Sequence, residues 1–303
     1  MKDRQNVEDL NLFLEYLEYQ KHYSYCTVDS YQRDLEDYFQ YLEKEGISYL
    51  DVTYDDTRLY LMHLKDERKE KAATISRHLS ALRSFYRYLL KKNKVSSNVF
   101  MLVTSPKKEK KLPRYFEYNE LEALFATCDV TTPLGQRDRL ILEMLYATGV
   151  RVSELLQIKI TDIQFSSMQI LIHGKGSKDR IVDFGQYALE ALELYLKDGY
   201  EKLNRFHCQE IFLNQNGRVL TARGVSYLLD KAIKKTSIQK KISPHVLRHT
   251  FATHLLNEGC DILSVKELLG HESLSSTQIY THVTTQQLKD IYHHSFPRAT
   301  LKK

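Results

Sequence analysis

The sequence predicts a mostly α protein, of α+β class: a small all-helical domain followed by a larger, mainly helical domain that holds a small antiparallel sheet. Three observations predict it. Helical periodicity dominates the first hundred residues. A Lys- and Pro-rich stretch then interrupts the pattern. Two short β-rich runs, "MQILIH" and "RIVDF", flank the turn-like "GKGSKD" in the second half and read as a hairpin. The chain has 303 residues, enough for two separate cores.

The elements follow in order. After Ser24 and Thr27, both suited to capping, Val28, Tyr31, Leu35, Tyr38, Phe39 and Leu42 recur at helical spacing, and Gly46 can end that helix. A later helix is predicted from near Thr74, with the apolar stripe Ile75, Leu79, Leu82, Tyr86 and Leu89. Arg77, Ser80, Ser84, Arg87 and Lys91 fall on another face of it. Cations and hydroxyls in one arc suit a phosphate backbone, which makes Arg77, Arg87 and Lys91 candidate DNA contacts. An ordinary solvated face has the same pattern and is the commoner case for a stripe taken alone. The predicted division is therefore a helical domain at 1–96, a basic linker at 97–115 and a second domain at 116–303. In the linker, Pro106 and Pro113 disfavour helix, and Lys107, Lys108, Lys110, Lys111 and Arg114 surround the single acid Glu109. Beyond it, "YNELEALFATC" and "RDRLILEMLYATG" read as helices, the second closing at Gly149. Helical patterns resume after the hairpin and run to the end.

Composition narrows the function classes. Hydrophobic residues make up 42% and charged residues 27%, a globular profile rather than a disordered one. No apolar run reaches the ~18 residues of a membrane span, so no membrane partner is expected. The start "MKDRQNVEDLNLF" has no apolar segment of the secretory kind. Cys26, Cys128, Cys208 and Cys260 stand far apart and read as free thiols of a reducing cytosol, so a cytoplasmic location is expected. A net charge of +5 permits a polyanionic partner without requiring one.

Four stretches concentrate chemistry. In "ATGVRVSEL", Gly149 ends a helix and Arg151 lies in the turn before the next, where a guanidinium fork can meet two phosphate oxygens. In "HGKGSKDR", Lys175 sits between Gly174 and Gly176 at the hairpin, without the spacing of a phosphate-cradling P-loop. In "SPHVLRHTFATHLL", Ser243 and Pro244 are a good helix start. There His245 and Arg248 share a face at the helix end where an anion would bind. His245 and His249 have zinc-ligand spacing, but Val246 stands where that motif needs Glu and no Cys is near, so no metal is expected. Phe251, Leu255 and Leu256 read as core, and His249 and His254 as hydrogen-bonded structural residues. In "LLGHESLSSTQIYTHV", Asp261 can cap a helix that Gly270 ends; His271 follows, and Tyr280 lies on a further helix. The same helix–glycine turn–helix also describes a DNA-reading motif that needs no chemistry. Taken together, two Arg, two His, one Lys and one Tyr suggest phosphoryl transfer without metal or other cofactor.

With these residues in view, the chain resembles tyrosine recombinases of the Xer and phage-integrase type over nearly its whole length. "ISPHVLRHTFATHLLNEGCDILSVKELLGHESLSSTQIYTHV" carries the resemblance most strongly; "TPLGQRDRLILEMLYATGVRVSELL", "GKGSKDRIV" and "ATISRHLSALRSFYRYLL" add to it. The resemblance implies a helical, SAM-like core-binding domain and a catalytic domain that grip double-stranded DNA. It implies that Arg151 and Arg248 clamp the scissile phosphate and that Lys175 protonates the departing 5′ oxygen. His245 would assist proton transfer at the tyrosine, His271 would hydrogen-bond a phosphate oxygen, and Tyr280 would form a 3′-phosphotyrosyl link. It further implies a homo- or heterotetramer with a related recombinase on two DNA sites, in which the C-terminal segment, residues 284–303, docks on a neighbour. A DNA translocase is a regulator the resemblance allows. Core-binding helices that begin almost at once favour an Xer-like resolvase of chromosome or plasmid dimers over a mobile-element integrase. "HHSFPRA" departs from the Xer tail by Ser295 and Phe296, and "NVF" at 98–100 replaces the usual Asn-Pro. A type IB topoisomerase and a non-catalytic DNA-binding repressor are the alternatives.

Overall fold

The computed structural model describes residues 2–106, 115–174, 179–270, 292 and 295–299, with side chains from residue 5 onward. It divides into two compact units, Met1–Lys111 and Leu112–Lys303.

The first unit is helical. It comprises α1 (Lys2–Glu15), α2 (Tyr25–Glu45), α3 (Tyr54–Met62) and α4 (Ala72–Lys91), with a 3₁₀ turn at Val99–Leu102. Gly46 ends α2 at φ 71°, a left-handed position that costs glycine little. Ser24 precedes α2, but its hydroxyl meets Thr27 Oγ1 at 2.9 Å instead of a backbone amide. Thr53 and Asp56 cap α3 reciprocally. The whole expected stripe of α4, Ile75 to Leu89, is buried, and Phe85 and Tyr88 join it. The chain contains no Trp and 21 Tyr, and tyrosine builds much of this core. Tyr38 and Tyr86 hydroxyls meet at 2.9 Å, Tyr86 donates to the Tyr49 carbonyl at 2.7 Å, and Tyr49 donates to buried Asp9 at 2.6 Å. Each phenol thus buries its ring and still satisfies its polar tip.

The stretch expected as linker from residue 97 begins as part of this core. Phe100 and Val103 are buried, with Phe100 packed on Tyr86 at a ring separation of 4.9 Å. Arg83 donates to the carbonyls of Phe100 and Val103, and Asn98 donates to the Arg83 carbonyl. Two apolar anchors and an arginine clip outweigh the loop-like composition that suggested a tether. The basic run at 107–114 lies outside the described residues.

The second unit is built around α6 (Pro133–Thr148), preceded by α5 (Tyr118–Phe125) and followed by the single turn α7 (Val152–Leu155). Every residue of α6 from Leu140 to Thr148 is buried, as a helix enclosed on all sides must be. Strands β1 (Ile163–Gln164), β2 (Gln169–Ile172) and β3 (Arg180–Asp183) form an antiparallel sheet in that order, with Ile170 opposite Val182 and Ile172 opposite Arg180. Ile170, Ile172 and Val182 face the core, whereas Leu171 and Ile181 are exposed. Helices α8 (Gln186–Leu194), α9 (Glu201–Leu203), α10 (Ala222–Ile233), α11 (Pro244–Asn257) and α12 (Ile262–Leu269) complete the unit. Phe251 and Leu255 are core residues, but Leu256 is 40% exposed, a correction to its expected burial. Positions 247, 251 and 255 form the buried stripe of α11 at four-residue spacing, and 256 steps off it. His254 is buried and shares a 2.7 Å hydrogen bond with Tyr146.

The end of the chain returns to this unit. Phe296 packs on Tyr146 and Phe251, at ring separations of 5.1 and 5.6 Å. Arg298 is buried between Glu122 and Glu143, 3.8 Å from the Tyr187 ring centroid. Gln186 donates its backbone N–H to the Ala299 carbonyl. The segment expected to dock on a neighbour therefore includes residues that pack on their own chain, because its aromatic and cationic side chains have buried partners there.

Candidate active site

Three backbone features place the first arginine. Thr132 caps α6 through the Gly135 amide, Gly149 ends α6 at φ 59°, and Arg151 is the N-cap residue of α7. An added Cβ at Gly149 would lie 2.5 Å from Phe251 Cδ1 and 2.8 Å from Leu269 Cδ2, so the chain can turn there only as glycine. Arg151 is exposed, and its Nη1 donates to Glu154 Oε1 at 2.8 Å, while its backbone N–H donates to Oε2 at 2.9 Å.

The second arginine rises from α11. Ser243 caps that helix through the Val246 amide and Pro244 takes its first position, as expected. Arg248, on the second turn, is buried. Its Nη1 donates to the Gly149 carbonyl and its Nη2 to the Leu269 carbonyl at 2.6 Å. Those carbonyls belong to the C-terminal ends of α6 and α12, where helix dipoles are negative. Burial, then the nearby Arg151, lowers the Arg248 guanidinium to about 10, so it remains a cation at neutral pH. Asp261 caps α12 through the amides of Leu263 and Ser264, and Gly270 closes it at φ 63°.

A third arginine belongs to the same cluster. Arg180, the first residue of β3, grips Glu154 with both terminal nitrogens, at 3.2 and 2.8 Å. Glu154 thus accepts from two guanidiniums and one backbone amide. Burial alone would push its carboxyl up, but the hydrogen bonds from Arg180 and Arg151 prevail and hold it at about 2. An added Cβ at Gly270 would sit 2.9 Å from Arg180 Nε, so this glycine makes room for the arginine as well as for the turn. Arg151, Arg180 and Arg248 around one carboxylate that is ionised at neutral pH leave a surplus of positive charge, the arrangement that draws and holds a phosphodiester.

Of the six catalytic candidates, Arg151 and Arg248 are brought together, and His245 is exposed on the first turn of α11, three residues before Arg248. Lys175, His271 and Tyr280 lie outside the described residues, beyond His173–Gly174 at the end of β2 and beyond Gly270. The three candidate DNA contacts of the first unit are all exposed on α4, although Arg77 pairs with Asp34 at 2.9 Å and the Lys91 ammonium sits 5.5 Å from the Tyr16 ring centroid. Glu154 and Arg180 were not among the sequence candidates. Strand alternation was the available signal for Arg180, since it shares the inward face of β3 with Val182.

Residues 114–287 match the phage integrase family, and residues 10–93 match the SAM-like N-terminal domain of phage integrases. The chain belongs to the phage integrase family. Tyrosine recombinase XerC of Anoxybacillus flavithermus is 49% identical over 294 residues, covering 96% of this chain and 98% of that protein. Tyrosine recombinase XerC of Bacillus subtilis is 44% identical over 304 residues, covering 98% and 99%. Among solved structures, a pre-cleavage complex of the XerH site-specific recombinase bound to difH substrate aligns with a TM-score of 0.67 and 26% identity, over 88% of this chain and 78% of that one. A lambda integrase dimer bound to a core site shares the fold, with a TM-score of 0.65 at 18% identity over 92% and 99%. This phage integrase family member is therefore a tyrosine site-specific recombinase, with the SAM-like match in its first unit and the phage integrase match in its second. Among its described residues no helix is long and apolar enough to cross a membrane.

Proposed function

We propose that this recombinase cuts and rejoins double-stranded DNA at a specific site through a 3′-phosphotyrosyl intermediate, and that it resolves chromosome or plasmid dimers in the cytoplasm. The convergence of Arg151 and Arg248 beside the ionised Glu154 is the observation that carries the reading. Near-full-length identity to XerC proteins supports the biological role.

In this reading the two guanidiniums bind the non-bridging oxygens of the scissile phosphate and neutralise the charge that grows on them in the transition state. Glu154 and Arg180 act on Arg151, fixing the plane of its fork. The Tyr280 phenolic oxygen attacks phosphorus, forming a P–O bond to tyrosine as the bond to the 5′ oxygen breaks. Its proton passes toward His245, and Lys175 gives one to the departing 5′ oxygen. His271 hydrogen-bonds a phosphate oxygen. The phosphodiester's energy stays in the phosphotyrosine, so rejoining by a 5′ hydroxyl needs no ATP. Four protomers, copies of this chain or of a related recombinase, assemble on two DNA sites. Arg77, Arg87 and Lys91 of α4 contact the backbone away from the reacting phosphate.

The test is covalent trapping. Sites of attachment are first mapped across the source genome, and purified protein is then mixed with nicked duplex carrying such a site. Wild type should become covalently joined to the DNA, whereas Tyr280→Phe should bind without joining. A wild type that binds duplex but never attaches would overturn the catalytic reading and favour a repressor. Relaxation of a supercoiled plasmid without two-site recombination would favour a type IB topoisomerase.

A further inference from the structure

The first unit buries a chain of polar groups that its helical core does not need. Asp34 on α2 is 1% exposed, His78 on α4 is 2% exposed, and Tyr60 on α3 is buried beside them. His78 Nε2 lies 3.1 Å from Asp34 Oδ1, and His78 Nδ1 lies 3.1 Å from the Tyr60 hydroxyl. Arg77 Nη1 reaches the same Asp34 Oδ1 at 2.9 Å and the Ser30 carbonyl at 3.2 Å. Asp34 Oδ2 is buried without a hydrogen-bond partner.

The direction of each bond follows from protonation. Burial, reinforced by Arg77, lowers His78 to about 4, so its ring is neutral at neutral pH, with one N–H and one lone pair. Burial raises the Tyr60 phenol, which keeps its proton. Asp34, although raised by burial to about 6, is ionised at neutral pH and can only accept. Hence His78 Nε2–H donates to Asp34, and Tyr60 O–H donates to His78 Nδ1. The relay runs Tyr60 to His78 to Asp34, and Arg77 meets Asp34 from the solvent side.

A buried carboxylate with an unused oxygen costs stability that an apolar side chain would not. What it secures is Arg77, which is 43% exposed, heads the basic stripe of α4, and is anchored through one nitrogen. We propose that Tyr60, His78 and Asp34 are positioning residues that hold Arg77 in place against a phosphate of the DNA backbone. This rests on the reading above that the chain grips duplex DNA. An arginine fixed beforehand loses less side-chain freedom on binding than a mobile one.

The proposal runs against simple charge counting, which makes it testable. If Asp34 acted only as a negative charge near DNA, Asp34→Asn would tighten binding. If it positions Arg77, Asp34→Asn weakens binding. Full-length protein is titrated with a fluorescent duplex of mixed sequence at several salt concentrations, and thermal unfolding is measured on the same samples. Arg77→Ala should weaken binding by a factor of about 3 to 10 and make the slope of log K against log salt shallower by about 0.9, one phosphate contact. Asp34→Asn and Tyr60→Phe should weaken binding in the wild-type background and add no loss in the Arg77→Ala background. Tyr60→Phe removes one hydroxyl only and decides the matter if Asp34→Asn does not fold. Tighter binding by Asp34→Asn, a lowered unfolding temperature with unchanged affinity, or equal losses with and without Arg77 would each overturn the relay. A wild type with no affinity for duplex would instead overturn the DNA reading itself.

Discussion

Arg248 and Arg151, the two proposed phosphate clamps, are held in place by opposite means. Arg248 is buried and held by two backbone carbonyls, whereas Arg151 is exposed and held by a carboxylate. Arg248→Ala should slow covalent attachment by about 3 kcal/mol or more of transition-state stabilisation. Equilibrium binding to duplex should fall far less, because many phosphates share it. Equal losses in single-turnover cleavage and in binding would contradict the clamp. Glu154 gives a pH test. Its folded carboxyl lies near 2, below its ordinary 4.5, so its pairing stabilises the fold fully above the unfolded value. That stability, about 3 kcal/mol by linkage, disappears as pH falls from 4.5 through 2. Urea unfolding of wild type should lose it over that window, and Glu154→Gln should be destabilised at neutral pH with a flatter acid limb. Strand alternation could have pointed to Arg180, but no sequence signal pairs it with Glu154. They are 26 positions apart, and only the packing of β3 on α7 makes them a pair.

At the scale of elements, the ends of helices were the most legible feature. Gly46, Gly149 and Gly270 all take left-handed φ, and Ser243 and Asp261 accept the backbone bonds their positions suggested. These signals are local, carried by one residue and its next three neighbours. Less legible were the π turns that close α1, α3 and α8, at Tyr16–Gln20, His63–Glu67 and Tyr195–Tyr200, since no residue type marks the extra residue of such a turn. The junction of α6 and α7 is expected to be the least tolerant of change. Gly149→Ala combines a left-handed φ with contacts below 3 Å to Phe251 and Leu269. It should lower stability by about 2 kcal/mol or more, seen as a drop in the unfolding temperature of the second unit. An unfolding temperature equal to wild type would show that the loop has room the geometry denies it.

Across the whole molecule, the division into two cores was legible because helical periodicity pauses at a basic, proline-containing stretch. The place where the first core stops was not, because Phe100 and Val103 look like loop residues until Arg83 and Tyr86 are seen around them. The far end of the chain, expected to dock on a neighbour, has side chains packed within the second unit. Arg298 shares buried Glu143 with Arg139 and stacks on Tyr187 and Phe125. Burial pushes the Glu143 carboxyl up, and the two arginines counter it. Arg298→Ala should therefore cost about 3 kcal/mol of stability, measured by denaturant unfolding, by leaving that carboxylate half-compensated. Loss of tetramer assembly with stability unchanged would instead place Arg298 at an interface between protomers.

The guanidinium of Arg248 is fastened to the last turns of two helices whose sequences lie far apart. It is oriented only when both have docked, so the direction in which that charge points is a product of the second unit's folding and not of any single stretch of chain.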